Sequence, residues 1–185
     1  MDEVISTEAV LSEAVLSAAK DGDRDAWEHL YHLYSRHLFG FLMMRLSHAD
    51  DAGEALSETY LRAIEKLGTF RGGASSLRPW LFTIARNVAM DRLRARKRLS
   101  PQSEIGDIVD LTALEPGDRL IGVQDRDAVG LAFSKLPADD REVLWLRFGQ
   151  GLTSGEVAKV VGKRPGAVRM QQMRALQVLS EAVEL

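Results

Sequence analysis

Five of the seven residues from Arg92 to Arg98 are cations: Arg92, Arg94, Arg96, Lys97 and Arg98. Guanidinium groups at that density bind phosphates bidentately and reach guanine edges, so the chemistry on offer is polyanion recognition. A solvated helix end that complements the helix dipole explains one or two such charges, not five. A second set, Lys163, Arg164, Arg169 and Arg174, surrounds the apolar pattern Val168, Ala175, Leu176 and Leu179. Those apolar residues share one face at helical spacing, and the cations lie off that face or at its entry. Just upstream, Thr153 and Glu156 have capping-box spacing, and Val157, Ala158 and Val161 form a short stripe. Gly162 stops that helix, and Pro165 suits the first position of the next. Two short helices around a glycine turn, the second entered through cations, spell a helix-turn-helix. The partner class is a nucleic acid.

Other residues with chemical potential are weaker signals. The loop from Thr69 to Trp80 holds Gly72 and Gly73 between Phe70 and Trp80, with Arg71 and Arg78 inside. Flexible backbone, aromatic faces and cations together can hold an unstacked base. The same two aromatics equally suit a core that closes a helix pair. His29, His32 and His37 lie close together, but no arranged carboxylate or fourth ligand accompanies them, so no metal is expected. There is no cysteine, which removes disulfides, thiolate zinc sites and thiol nucleophiles. No Ser/His/Asp arrangement, phosphate-cradling loop or working carboxylate pair stands out, so neither an enzyme nor a cofactor is expected.

The formal net charge of −3 seems to argue against nucleic acid, but its distribution reverses that impression. Residues 1–66 carry a net of −7 and residues 100–142 a net of −6, whereas residues 84–98 and 143–179 carry +5 each. Two basic islands split by an acidic stretch suggest two contact sites on one polyanion. No apolar run approaches a membrane span, and the acidic amino terminus does not read as a signal peptide, so the expected compartment is the cytoplasm.

The elements that must position these groups are helices; nothing in the pattern calls for a strand. Trp27, Leu30, Tyr31, Tyr34, Leu38, Phe41 and Leu42 predict one long helix over about 22–47. Asp50 can cap a second, with Ala52, Ala55, Leu56, Tyr60, Ala63, Ile64 and Leu67 inward. Pro79 can open a third, with Leu81, Ile84, Ala85 and Val88 inward. A short helix ahead of Gly22 would bury Val10, Ala14, Leu16 and Ala18. Periodicity vanishes between Leu99 and Gln124, where Pro101, Gly106, Pro116 and Gly122 punctuate an acidic linker. Helices resume near Asp125, with Val129, Ala132, Phe133 and Leu136 inward; Pro137 and Asp139 mark the next start, and Val143, Leu144, Leu146 and Phe148 form its apolar part. The prediction is an all-α chain of two small helical domains, 1–98 and 125–185, joined by the linker 99–124.

Three blocks resemble the extracytoplasmic-function sigma factors of bacterial RNA polymerase. Asp51-Ala-Gly-Glu-Ala-Leu-Ser-Glu-Thr-Tyr-Leu-Arg-Ala63 is similar to that family's core-polymerase-binding helix. Pro79-Trp-Leu-Phe-Thr-Ile-Ala-Arg-Asn-Val-Ala-Met-Asp-Arg-Leu-Arg94 resembles its promoter-opening helix. Leu136-Pro-Ala-Asp-Asp-Arg-Glu-Val-Leu144, with Gly166-Ala-Val-Arg169 and Arg174-Ala-Leu176, resembles its carboxy-terminal domain. The match runs over about 18–180 in the family's order and spacing.

The resemblance implies roles for the positions that match. Asp51, Glu54, Glu58 and Leu61 would face the clamp helices of the polymerase's largest subunit. The loop from Phe70 through Arg71 to Arg78 would capture a flipped base of the minus-ten element. Arg86, Asn87, Arg92 and Arg94 would contact the melted strand and its backbone. Lys163, Arg164, Arg169, Met170, Met173 and Arg174 would enter the major groove of the minus-thirty-five element. Leu144, Trp145 and Phe148 would partly serve the polymerase flap, and the acidic linker would thread toward the active-site channel. Promoter DNA, core polymerase and an anti-sigma factor are the implied partners. Gly53 and Ser57 depart from the family's usual Glu and Gln, lowering helix propensity by up to about 1 kcal/mol at Gly53. The rival readings are a helix-turn-helix regulator that acts without polymerase, and a helical interaction protein that binds no DNA.

Overall fold

The computed structural model describes residues 11–99 and 126–183, so the linker from residue 100 on and the placement of Val10 lie outside the described residues. Among the described residues there are eight helices and no strand: α1 Glu13–Lys20, α2 Arg24–Leu46, α3 Ala49–Leu67, α4 Ala74–Leu99, α5 Arg126–Ser134, α6 Ala138–Leu144, α7 Ser154–Val161 and α8 Pro165–Val183. A π-helical turn, Trp145–Gly149, prolongs α6.

Side-chain caps explain several boundaries. Ser12 Oγ accepts from Val15 N–H at 3.2 Å to start α1, and Asp23 Oδ1 accepts from Ala26 N–H at 2.8 Å to start α2. Gly22 turns between them with φ of +83°, a conformation that costs a glycine nothing. Thr153 and Glu156 form the reciprocal capping box of α7, and Gly162 ends it in the left-handed region at φ +69°. Pro165 is the first residue of α8, as its spacing predicts.

Helices α2, α3 and α4 pack around Leu38, Phe41, Leu42, Leu81 and Phe82, with the Phe41 and Phe82 rings edge to face at 5.5 Å. Ala52, Ala55 and Ala63 of α3 and Ala85 and Ala89 of α4 are fully buried, and small side chains let the backbones approach closely. Val143, Leu146, Leu152, Val157, Val161 and Val168 join this same core, while Leu136, Leu144 and Ala175 form a smaller one with Phe133 and Leu179. The two predicted helical groups therefore share a core through α4 against α7.

Several expectations need correction. Helix α3 starts at Ala49 without a side-chain cap, and Asp50 sits in its first turn, where a carboxylate still complements the dipole. Helix α4 starts at Ala74, so Pro79 lies inside it instead of opening it. The missing N–H there leaves the Ser75 carbonyl without its helical donor, and Ser75 is exposed, so water can serve it. In α1 the buried residues are Leu16 and Ala19, with Ala14 exposed. Ile64 and Leu176, expected inward, are 53% and 39% exposed and so are surface residues.

Candidate nucleic-acid and protein interface

Asp51, Glu54 and Glu58 recur at three- and four-residue spacing, which stacks them on one face of α3. The arginine-rich end of α4 runs alongside. Arg92 reaches across with Nη1 2.9 Å from Glu54 Oε2 and Nη2 3.2 Å from Glu58 Oε2. Arg62 bridges Glu58 at 2.6 Å and Asp91 at 3.2 Å, Arg94 pairs with Asp91 at 3.4 Å, and Arg96 lies 3.9 Å from Asp51. Bonding to Glu54 holds the Arg92 guanidinium above its ordinary pKa, against the opposing effect of partial burial, with Glu58 adding to the rise. The acidic row and the arginine row, assigned by resemblance to different partners, thus face each other. These pairs are largely solvated, with Glu54 71% exposed, so either side can exchange partners at small cost. Beside the acids, Leu61 is 62% exposed and neighbours Ile64, and a shallow groove of about 380 Å³ lined by Trp27, Tyr31, Tyr60 and Ile64 continues the apolar strip. Burial beside Tyr31 and Tyr34 pushes the Tyr60 phenol well above its ordinary pKa.

The aromatics of the glycine loop are half-buried against each other, Phe70 and Trp80 lying 4.9 Å apart at 43°. Here Gly72 is required by space: a Cβ would sit 2.5 Å from Phe70 Cζ and 2.9 Å from Ser76 Cβ. Arg71 and Asn87 are exposed. Arg78 donates from Nη2 to Gln150 Oε1 at 3.2 Å.

In the second group, Arg164, Arg169 and Arg174 are exposed and, among the described residues, have no ion-pair partner. Met170 and Met173 are 54% and 58% exposed on the same helix, so α8 offers cations and flexible apolar groups together. Lys163 is held instead, Nζ lying 2.8 Å from Gln171 Oε1 and 3.7 Å from Asp139. Gln171 is buried and donates to Asp140 Oδ1 at 2.7 Å, while Arg147 Nε donates to Gln172 Oε1 at 3.0 Å. Both glutamines staple α8 to the α6 segment.

Between the groups lies a cluster that the sequence did not announce. Glu142 is 1% exposed and takes Arg86 Nε on Oε1 at 3.0 Å, with Arg45 Nη1 3.6 Å from Oε2. The Arg45 contact is an ion pair longer than a hydrogen bond. Arg141 lies nearby with its pKa lowered by burial and by the charge of Arg45, and it donates to the Ser134 carbonyl at 2.6 Å. Trp145 packs on α2 so closely that a Cβ at Gly40 would lie 3.2 Å from its ring. Its indole N–H is buried and meets no acceptor among the described residues. The available signal was Arg45 and Glu142 interrupting apolar stripes, next to Met44, Leu46, Val143 and Leu144.

Two segments of the chain match known families. Residues 30–99 match the family Sigma-70 region 2, and residues 126–179 match Sigma-70, region 4. Over 168 residues the chain is 32% identical to the ECF RNA polymerase sigma factor BldN of Streptomyces coelicolor, a match covering 90% of this chain and 63% of that protein. The chain belongs to the extracytoplasmic-function sigma factors. It is also 27% identical to the RNA polymerase sigma-H factor of Pseudomonas aeruginosa, over 93% of each chain. The solved sigma factor RpoE, in complex with the anti-sigma factor NepR from Bartonella quintana, superposes with a TM-score of 0.69 at 26% identity, covering 85% of this chain and 96% of that one.

In this sigma factor the acidic face, the glycine loop and the arginine end all fall within the region 2 match. The helix-turn-helix falls within the region 4 match, and the Glu142 cluster joins the two. Helix α1 precedes both matched segments. Among the described residues no helix is long and apolar enough to cross a membrane, and no group of three or more acidic or histidine side chains could hold a metal ion.

Proposed function

We propose that this chain acts in the cytoplasm as a non-catalytic promoter-specificity subunit of RNA polymerase, with residues 1–98 as the opening domain, 99–124 as linker and 125–185 as the upstream anchor. The acidic face of α3, with Leu61 at its edge, docks on the clamp helices of the largest subunit. The loop from Phe70 to Arg78 takes an unpaired minus-ten base, and Arg86, Asn87, Arg92 and Arg94 follow the melted strand. Arg164, Arg169, Met170, Met173 and Arg174 read the minus-thirty-five duplex, with Lys163 at the rim. An anti-sigma factor restrains the chain, as the solved relative's complex with NepR suggests by kinship.

One observation carries this reading: a single chain holds the acidic helix, the arginine-rich helix end and the helix-turn-helix in the order of the region 2 and region 4 matches. A regulator that acts without polymerase has no use for the first of these, and a protein that binds no DNA has no use for the exposed cations of α8. In the arrangement described, Arg78 and Arg86 bond to Gln150 and Glu142 of the second group. Promoter contact by these two arginines therefore exchanges those acceptors for phosphates and parts the groups. The test is reconstitution with bacterial core polymerase and a promoter library. Stable co-purification and start sites that appear only with the chain present support the reading; binding to duplex DNA without any association with core overturns it.

A further inference from the structure

Helix α1 lies ahead of the region 2 match, and none of its residues meets DNA or polymerase in the function just proposed. It is nevertheless firmly mounted. Leu16 and Ala19 are buried in the core, and the Trp27 indole donates to the Ala19 carbonyl at 3.0 Å. From that mounting, two charged side chains reach the glycine loop, one at each end. Glu13 Oε1 accepts the backbone N–H of Ala74 at 2.7 Å, and a Cβ added at Gly73 would lie 2.6 Å from the same oxygen. Lys20 Nζ sits 5.5 Å from the centre of the Phe70 ring.

The contact at Ala74 matters because of what α4 lacks. Its first N–H groups have no acceptor within the helix, and the residue before it, Gly73, has no side chain to cap them. Pro79 then removes one bond of the early ladder. The opening turns of α4 are thus weakly held by their own sequence. A carboxylate delivered from 61 residues away supplies a charge-assisted cap and complements the dipole. At the other end, the Lys20 cation steadies Phe70 over its ring while Trp80 packs against it.

We propose that α1 is a wall of the base-capture loop, and that Glu13 is the positioning residue that fixes the loop's shape for the unpaired minus-ten base. The proposal rests on the sigma-factor function above and adds to it. Glu13 acts through the backbone of residues 73–78: it sets where the loop ends, and so where Arg78 points.

Two measurements test it. Hydrogen exchange on the full chain needs no polymerase: Glu13→Ala speeds exchange at residues 74–78 while leaving α2 and α7 protected. Unchanged exchange at those amides overturns the positioning role. In holoenzyme, a fluorescent base analogue at the minus-ten element reports capture. Glu13→Ala lowers the capture rate about 5-fold to 10-fold, the size of a lost helix cap, with Glu13→Gln between it and the parent. Affinity for core and for the upstream duplex stays unchanged, and base preference relaxes at the captured position alone. Gly73→Ala pushes the flexible Glu13 off its bond and reproduces the defect, and the double variant is no worse than either single one. Additive defects, or normal capture in both singles, overturn the proposal. Failure of the parent chain to open any promoter with core overturns the sigma-factor reading instead, leaving the exchange result to judge Glu13.

Discussion

Replacing Glu142 by alanine removes the carboxylate that Arg86 and Arg45 share across the junction of the two helical groups. All three side chains are well buried, at 1% exposure for Glu142, 16% for Arg86 and 8% for Arg45, so solvent screens the pair little. Taking one partner from a buried pair leaves an uncompensated charge, which costs about 3–5 kcal/mol. That cost falls on the closed arrangement and not on either group alone, because both arginines regain water when the groups part. At about 1.4 kcal/mol per tenfold, the open form gains roughly a hundredfold or more in relative population. Glu142→Gln keeps an acceptor for Arg86 Nε and loses only the charge, so its shift is smaller. The assay is intramolecular energy transfer. The chain has no cysteine, so Glu65→Cys and Gln177→Cys at exposed positions give clean labelling sites. Transfer efficiency falls in the alanine variant while helix content and the melting of each group stay intact. Unchanged transfer in a folded Glu142→Ala chain refutes the claim that this cluster holds the groups together.

Other consequences follow from the same geometry. Arg92→Ala breaks two solvated ion pairs worth about 1 kcal/mol or less together, so Tm falls by no more than about 4 °C in a thermal melt. Arg169→Ala and Arg174→Ala each reduce the slope of log affinity against log salt by about 1 in a duplex-binding titration, since each removes a phosphate-reaching cation. Leu61→Glu places a charge at a position already 62% exposed, so Tm is unchanged while core polymerase affinity drops at least tenfold in a pull-down titration.

How much of this was legible in the sequence differs by element. The long helix α2 and the Thr153–Glu156 capping box were readable because their signals are local: periodicity spans one helix, and a cap spans three residues. The start of α4 was misread at Pro79, since proline announces a first turn only when nothing else caps the chain earlier. Here Glu13 does so from far upstream, and no local pattern reveals it. The joining of the two helical groups escaped for the same reason: Arg86 of α4 and Glu142 of α6, which bond across the junction, are 56 residues apart. Types and order of the candidate site residues were legible. Their pairing was not, because the acidic row of α3 and the arginines of α4 make sense separately as two sites and together as an ion ladder.

As proposed, this chain opens promoters only as part of polymerase. Permanganate reactivity of minus-ten thymines measures this directly on a promoter recovered from the library. The thymines react when chain and core polymerase are both present, stay unreactive with either alone, and lose the signal in Arg86→Ala. Strong upstream protection by the chain alone, with thymines that stay unreactive when core is added, contradicts it.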